Sequence, residues 1–178
     1  MPRAHSPTLR SRLKRVKLFL CDVDGVLTDA SVFVGGKTEF KRFHIQDGLG
    51  LRLLARCGIR SGWVSNRPSA ATTQRAVELK VDYLSQDKGR KVEAVEAILK
   101  EARIAWEDTC FMGDDIVDLG VLRRAGLAAV PANGIREAKA LAHYVTRREG
   151  GHGAVREVIQ LILEAQGHWK KLVADYAQ

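Results

Sequence analysis

An α/β fold, with a parallel sheet flanked by helices, follows from the way short apolar runs alternate with amphipathic segments along this chain. It follows equally from the polar residues. Asp22 and Asp24, then Ser65, Asn66 and Arg67, then Lys91, then Asp114, Asp115 and Asp118 each come just after an apolar run. Sites in open parallel sheets form beyond the carboxyl ends of the strands, so four such ends can converge on one crevice.

Each element has its own signal. VKLFLCDV reads as the first core strand, and SVFVGGKTEFKRF as two short strands turning at Gly35-Gly36. DGLGLRLLARCG is a helix with Leu51, Leu54 and Ala55 on one face and Gly58 past its end. IRSGWVSN is the second core strand. PSAATTQRAVELK is a helix whose proline suits the first turn. After the short strand VDYLS, KVEAVEAILKEAR sets Val92, Val95, Ile98 and Leu99 at helical spacing. DTCFMGDD is a third core strand ending in acids, and LAAVPAN and HYVTR are two more. AVREVIQLILEAQGHWKKLVADY is a long helix interrupted near Gly167.

At 178 residues the chain makes one domain with a sizeable core, and 46% hydrophobic content is that of a globular protein. No apolar run is long enough to span a bilayer, and Asp22 interrupts the only apolar stretch near the N-terminus. These features read as a soluble, cytoplasmic protein with no membrane partner. Cys21, Cys57 and Cys110 are odd in number and widely spaced, which argues for reduced, buried thiols. Six of the charges behind the net +8 are Arg3, Arg10, Arg12, Lys14, Arg15 and Lys17, with no acid among them. Residues 1–15 therefore read as a basic, flexible arm, and residues 16–178 as a single domain with a hairpin flap at about 31–43. With the charge confined to the arm and no basic, aromatic-rich stretch beside it, no nucleic-acid partner is expected. GGKT lacks the leading glycine of a phosphate loop, and DGLGLRLL lacks the third glycine of a dinucleotide fingerprint.

Crowded carboxylates repel one another unless a cation joins them. All-oxygen ligands suit Mg²⁺, and Asp22 and Asp114 are its natural direct ligands here. A carboxylate ionised beside a metal and a lysine can attack phosphorus, so Asp22 is the candidate nucleophile. Asp24, two residues on, can protonate the leaving oxygen and then activate water. Lys91, the Ser65 hydroxyl and backbone N–H groups around Gly25 would neutralise the phosphoryl oxygens. In SQDKGRKVEA, either Lys88 or Lys91 can reach the crevice. Standing alone, the acids after TCFM would be a helix N-terminal cluster and Ser65 a cap; four converging strand ends favour chemistry.

DVDGVLTD, VSNR, Lys91 and GDDIVD, in this order, resemble the motifs of the haloacid dehalogenase superfamily, across nearly the whole chain. The resemblance implies a Rossmann-like fold, with the small β-hairpin flap and no separate cap domain. It implies Asp22 as nucleophile, Asp24 as acid/base, and Ser65 and Lys91 as phosphoryl-holding groups. It further implies Mg²⁺ held by Asp22, the Asp24 main-chain carbonyl and Asp114, with Asp115 and Asp118 in support. FHIQDGLGLRLL and YVTRREGGHGAVREV are similar to segments of the 3-deoxy-D-manno-octulosonate (KDO) 8-phosphate phosphatases. That narrower resemblance implies a homotetramer whose neighbouring subunits close each site. It implies lipopolysaccharide biosynthesis as the setting, and substrate contacts from His44, Ile45, Gln46, Asp47, Gly48, Arg52, Arg67 and Arg75. Arginine forks suit a substrate carrying a carboxylate and a phosphate. Two positions depart from the subfamily: Ser65-Asn66-Arg67 replaces its Thr-Gly-Arg, and His152 stands where arginine is usual. Related nonulosonic acid phosphates (KDN or sialic acid 9-phosphate) are the alternative substrates. A phosphoacceptor receiver domain carries similar groups, but it places the acidic pair first and the acceptor aspartate on a middle strand. A non-catalytic scaffold would bear the repulsion of intact acidic motifs with nothing to offset it.

Overall fold

The structure, a computed structural model, describes residues 8–36 and 38–178. Its main sheet has the order β5-β4-β1-β6-β7-β8, and every pairing in it is parallel. The strands are β1 (Leu18–Cys21), β4 (Arg60–Val64), β5 (Tyr83–Ser85), β6 (Thr109–Met112), β7 (Leu127–Val130) and β8 (Tyr144–Val145). β2 (Phe33–Gly35) and β3 (Thr38–Phe40) form the separate antiparallel flap, with Phe33 opposite Phe40. Strand order reverses at β1, so the loops after β1, β4 and β6 meet at one crevice.

Side-chain alternation along β1 builds a core on each face. Phe19 and Cys21 join Trp63, Leu51, Leu54 and Ile159; Leu18 and Leu20 join Phe111, Val95, Leu99 and Val121. The first core is covered by α2 (Ile45–Arg56), α3 (Ala70–Leu79) and α7 (Ala154–Ala165), and the second by α4 (Lys91–Ala102), α5 (Leu119–Leu122) and α6 (Arg136–Leu141). On α7, Val155, Val158, Ile159, Ile162 and Leu163 make one buried stripe. Gly50 lets α2 approach it closely, since a Cβ there would stand 3.2 Å from the Ile159 Cδ1 atom. Gly167, at φ +82°, separates α7 from α8 (Trp169–Tyr176), where the sequence placed the interruption.

Two local expectations change. Pro68 lies ahead of the α3 cap rather than in its first turn: Ser69 caps α3 by accepting from Thr72 N–H. Part of the expected arm is α1 (Leu9–Arg15), capped by Thr8, with Leu13 buried in the first core. Its cations find partners, because Arg12 donates to Gly126 O, and Arg15 and Lys17 pair with Asp108 at 2.9 and 2.8 Å. Arg3 and the other residues before Thr8 lie outside the described residues. All three cysteines are free, with Cys21 and Cys110 buried in β1 and β6. Among the described residues no helix is long and apolar enough to cross a membrane.

Ile159→Ala removes a fully buried side chain at the α2–α7 contact. It should lower unfolding stability by about 2–5 kcal/mol, read as a lower urea midpoint at unchanged slope.

Candidate active site

β1 ends at Cys21, and the next residue turns its carboxylate into the crevice. Asp22 N–H donates to Met112 O at 2.9 Å, which extends the sheet by one bond and fixes the residue against β6. The Asp22 Oδ1 atom accepts from Val23 N–H at 2.7 Å, and Lys91 Nζ lies 2.8 Å from Oδ2. Lys91, the first residue of α4, also donates to Asp118 Oδ1 at 2.7 Å. Lys88 is exposed; it is Lys91 that reaches the nucleophile candidate.

Asp118 is fully buried and has both oxygens occupied. Oδ1 takes Lys91, and Oδ2 takes Asp114 N–H at 2.9 Å and Asp115 N–H at 3.2 Å. It braces the loop and the lysine together. Asp115 caps the following 3₁₀ turn, Ile116–Asp118, through Ile116 N–H at 2.6 Å. Asp114 is different: its Oδ1 is buried and has no partner. Gly25, at φ +95°, brings bare backbone against this carboxylate, and a Cβ there would overlap Asp114 Oδ2. Gly150 and Gly151 press on the same loop, with Gly151 N–H donating to Val26 O at 3.0 Å.

Oxygens of Asp22, Asp114 and Asp118 all fall within 4.8 Å of one another, and among the described residues Lys91 is the one cation paired with this trio. Burial, with the Asp118 charge next, pushes the Asp22 carboxyl up to about 6 despite Lys91. Burial, then Asp118 and Asp22, push Asp114 up to about 7. Burial opposes the charge on Lys91, but Asp118 and Asp22 outweigh it and hold the ammonium's pKa above its ordinary value. Hard oxygen donors, an unpartnered buried carboxylate oxygen and surplus negative charge fit a hard divalent cation at Asp22 and Asp114.

Around this centre the other expected residues divide. Ser65 is buried after β4, its hydroxyl accepting from Arg67 N–H at 3.1 Å. Asp24 carries an ion pair that the sequence reading missed: Lys41 Nζ lies 2.8 Å from Oδ1 and 2.9 Å from Oδ2. Arg67 pairs with Glu39 of the flap. The guanidinium of Arg75 lies over Gly48, where a Cβ would stand 2.6 Å from Nη2, and pairs with Glu78 at 2.7 Å. Asp47 has one oxygen engaged and the other, Oδ2, buried with no partner. It is buried, and its Oδ1 accepts from Arg156 N–H at 2.7 Å, capping α7 from another helix. Gln46 accepts from Arg148 at 3.2 Å, Ile45 and Arg52 are exposed, and His44 keeps a buried, unpartnered Nδ1. His152 stands between Gly150 O and Arg42 Nη2, each at 3.0 Å.

Residues 69–159 match the family model of haloacid dehalogenase-like hydrolases. A KDO 8-phosphate phosphatase of Yersinia pestis is 36% identical over 156 residues, which is 87% of this chain and 83% of that protein. The chain belongs to the haloacid dehalogenase-like hydrolases. Its relatives place it among the phosphatases of that family. The solved phosphatase of Moraxella catarrhalis, in complex with magnesium, phosphate and KDO, superposes with a TM-score of 0.91 at 37% identity, covering 94% of this chain and 97% of the other. A cobalt-bound Haemophilus influenzae phosphatase gives a TM-score of 0.86 at 32% identity, covering 89% and 93%. The hydrolase fold thus accounts for the six-stranded sheet and for the crevice at β1.

The raised carboxyls have a consequence for stability. Asp22 and Asp114 bind protons more tightly folded than unfolded, so their contribution is complete below about pH 4 and is lost as pH rises through about 6 to 7. After chelator treatment the melting temperature should fall between pH 5 and pH 8. Added Mg²⁺ should raise it more at pH 8 than at pH 5, and Asp114→Asn should blunt both effects.

Proposed function

We propose that this hydrolase is a Mg²⁺-dependent phosphatase of a sugar acid phosphate, acting through an aspartyl-phosphate on Asp22, with KDO 8-phosphate the leading substrate. The observation that carries this reading is the buried Asp22 carboxylate, held by Lys91 at 2.8 Å beside the unpartnered Asp114 oxygen. The named substrate rests on relatives that cover most of the chain. Bound Mg²⁺, held by Asp22, Asp114 and the Asp24 main-chain carbonyl, would supply positive charge to the phosphoryl oxygens and keep the carboxylates ionised.

The chain's own groups do the rest. Val23 N–H fixes one oxygen of Asp22 and Lys91 steadies the other, so the carboxylate is held for attack on phosphorus. Asp24 gives a proton to the departing ester oxygen, then takes one from the water that hydrolyses the intermediate. The Ser65 hydroxyl, Lys91 and N–H groups near Gly25 hold phosphoryl oxygens. Arg67 and Arg75, with the segment His44 to Gly48 and Arg52, are the substrate-side candidates. The exposed apolar residues of the flap, Phe33, Val34 and Phe40, fit a homotetramer joined through its hairpins. The enzyme would work in the cytoplasm. A nonulosonic acid 9-phosphate is the second substrate reading, favoured by His152 in a segment where the resemblance expects arginine.

Phosphate release should be screened over sugar acid phosphates and hexose phosphates, with and without Mg²⁺. The expected outcome is Mg²⁺-dependent turnover greatest on KDO 8-phosphate, and loss of at least about a thousandfold in Asp22→Asn with the fold retained. Hexose phosphates outperforming every sugar acid would overturn the substrate class. Full activity in Asp22→Asn would overturn the nucleophile.

A further inference from the structure

The flap is an exposed hairpin, with Phe33 60%, Val34 77% and Phe40 62% exposed. Lys41, directly after its second strand, is the opposite: its side chain has 0% exposure. A buried ammonium is costly unless it is fully partnered. Its partners are the Asp24 carboxylate, Thr72 Oγ1 at 3.2 Å, and Glu39 Oε1 at 4.0 Å. Thr72 is itself fully buried on α3. One ammonium therefore ties together the flap, the loop after β1 and α3.

Strand alternation explains the arrangement. Glu39, Lys41 and Phe43 all turn inward: Glu39 to Arg67 and Ser69, Lys41 to Asp24, and Phe43 to Trp63, ring on ring at 6.0 Å. Phe43 alone would seat the segment on the core. Lys41 instead spends a buried charge on a carboxylate two residues from the nucleophile, donating to Oδ2 and lying within ion-pair distance of Oδ1, which has no hydrogen-bond partner.

We infer that Lys41 is a positioning residue for the general acid/base, fixing the Asp24 carboxylate where it meets first the leaving oxygen and then the hydrolytic water. This rests on the phosphatase reading above. In the first half-reaction the bond from phosphorus to Asp22 forms as the ester bond breaks, and the Asp24 proton goes to the leaving oxygen. In the second, water attacks phosphorus, its proton goes to Asp24, and the bond to Asp22 breaks. Lys41 keeps its protons throughout and acts only through Asp24.

The test compares the two half-reactions with p-nitrophenyl phosphate, whose leaving group needs little proton assistance. With Lys41→Met, kcat should fall about a hundredfold, in the lower range for losing acid–base assistance, and KM should fall with it, so that kcat/KM, which reports phosphoenzyme formation, changes less than about threefold. Formation of the phosphoenzyme should keep most of its rate, and its breakdown should slow, so acid-quenched protein carries more label than wild type. Lys41→Arg should restore a substantial part of the breakdown rate. Unchanged breakdown in Lys41→Met, with activity lost only in proportion to the burst amplitude, would make Lys41 a mere staple and overturn the inference. Should Lys41→Met fail to melt cooperatively, Thr72→Val must show the same slowing to a smaller degree, and normal breakdown there would overturn the inference equally. Turnover retained in Asp22→Asn is a different failure: it removes the reading on which the inference rests, and the inference with it.

Discussion

Three carboxylates whose oxygens crowd within 4.8 Å, with one ammonium paired to them, dominate this molecule. In water such groups would separate; here β1, β6 and the 3₁₀ turn after β6 hold them in place. The surplus of negative charge is what makes the crevice a place for a dication and, with it, for a phosphoryl group. Asp118 consumes its own charge on Lys91 and on two backbone N–H groups, whereas Asp114 keeps a buried oxygen with no partner. The division of labour among similar acids is therefore set by hydrogen-bond accounting rather than by residue type.

The fold serves that cluster by controlling approach. Reversal of strand order at β1 opens the crevice, and glycine lets the surrounding loops close tightly about it. Gly25 admits the Asp114 carboxylate, and Gly150 admits the backbone of the loop after β1. The flap completes the surroundings from the other side, since Glu39 meets Arg67 and Lys41 meets Asp24. A chain with no separate lid thus brings a hairpin to Asp24 within one protomer.

Much of this was legible in the sequence because it is local. Apolar runs ending in Asp22, Ser65 and Asp114 announce strand ends with chemistry on them, and the residues lie where that reading expects. What was hidden depends on partners distant in the chain. Nothing local announces that Arg156 N–H, 109 residues on, donates to one oxygen of Asp47. The basic segment before β1 reads as a flexible arm until Asp108 and Gly126 supply acceptors, and Leu13 finds the core. Lys41 looks like any strand-end lysine; only period-two alternation from Glu39 to Phe43 hints that it turns inward. Helices α5 and α6 are four and six residues long, too short for a periodic signal.

The central claim is that a dication among these acids lets one of them, Asp22, take the phosphoryl group. Crystals grown with Mg²⁺ and beryllium fluoride test it most directly. The account predicts trifluoroberyllate density bonded to the Asp22 carboxylate, with the metal beside it in contact with Asp114. Trifluoroberyllate bound to any other side chain, or a metal lodged away from Asp114, would contradict it.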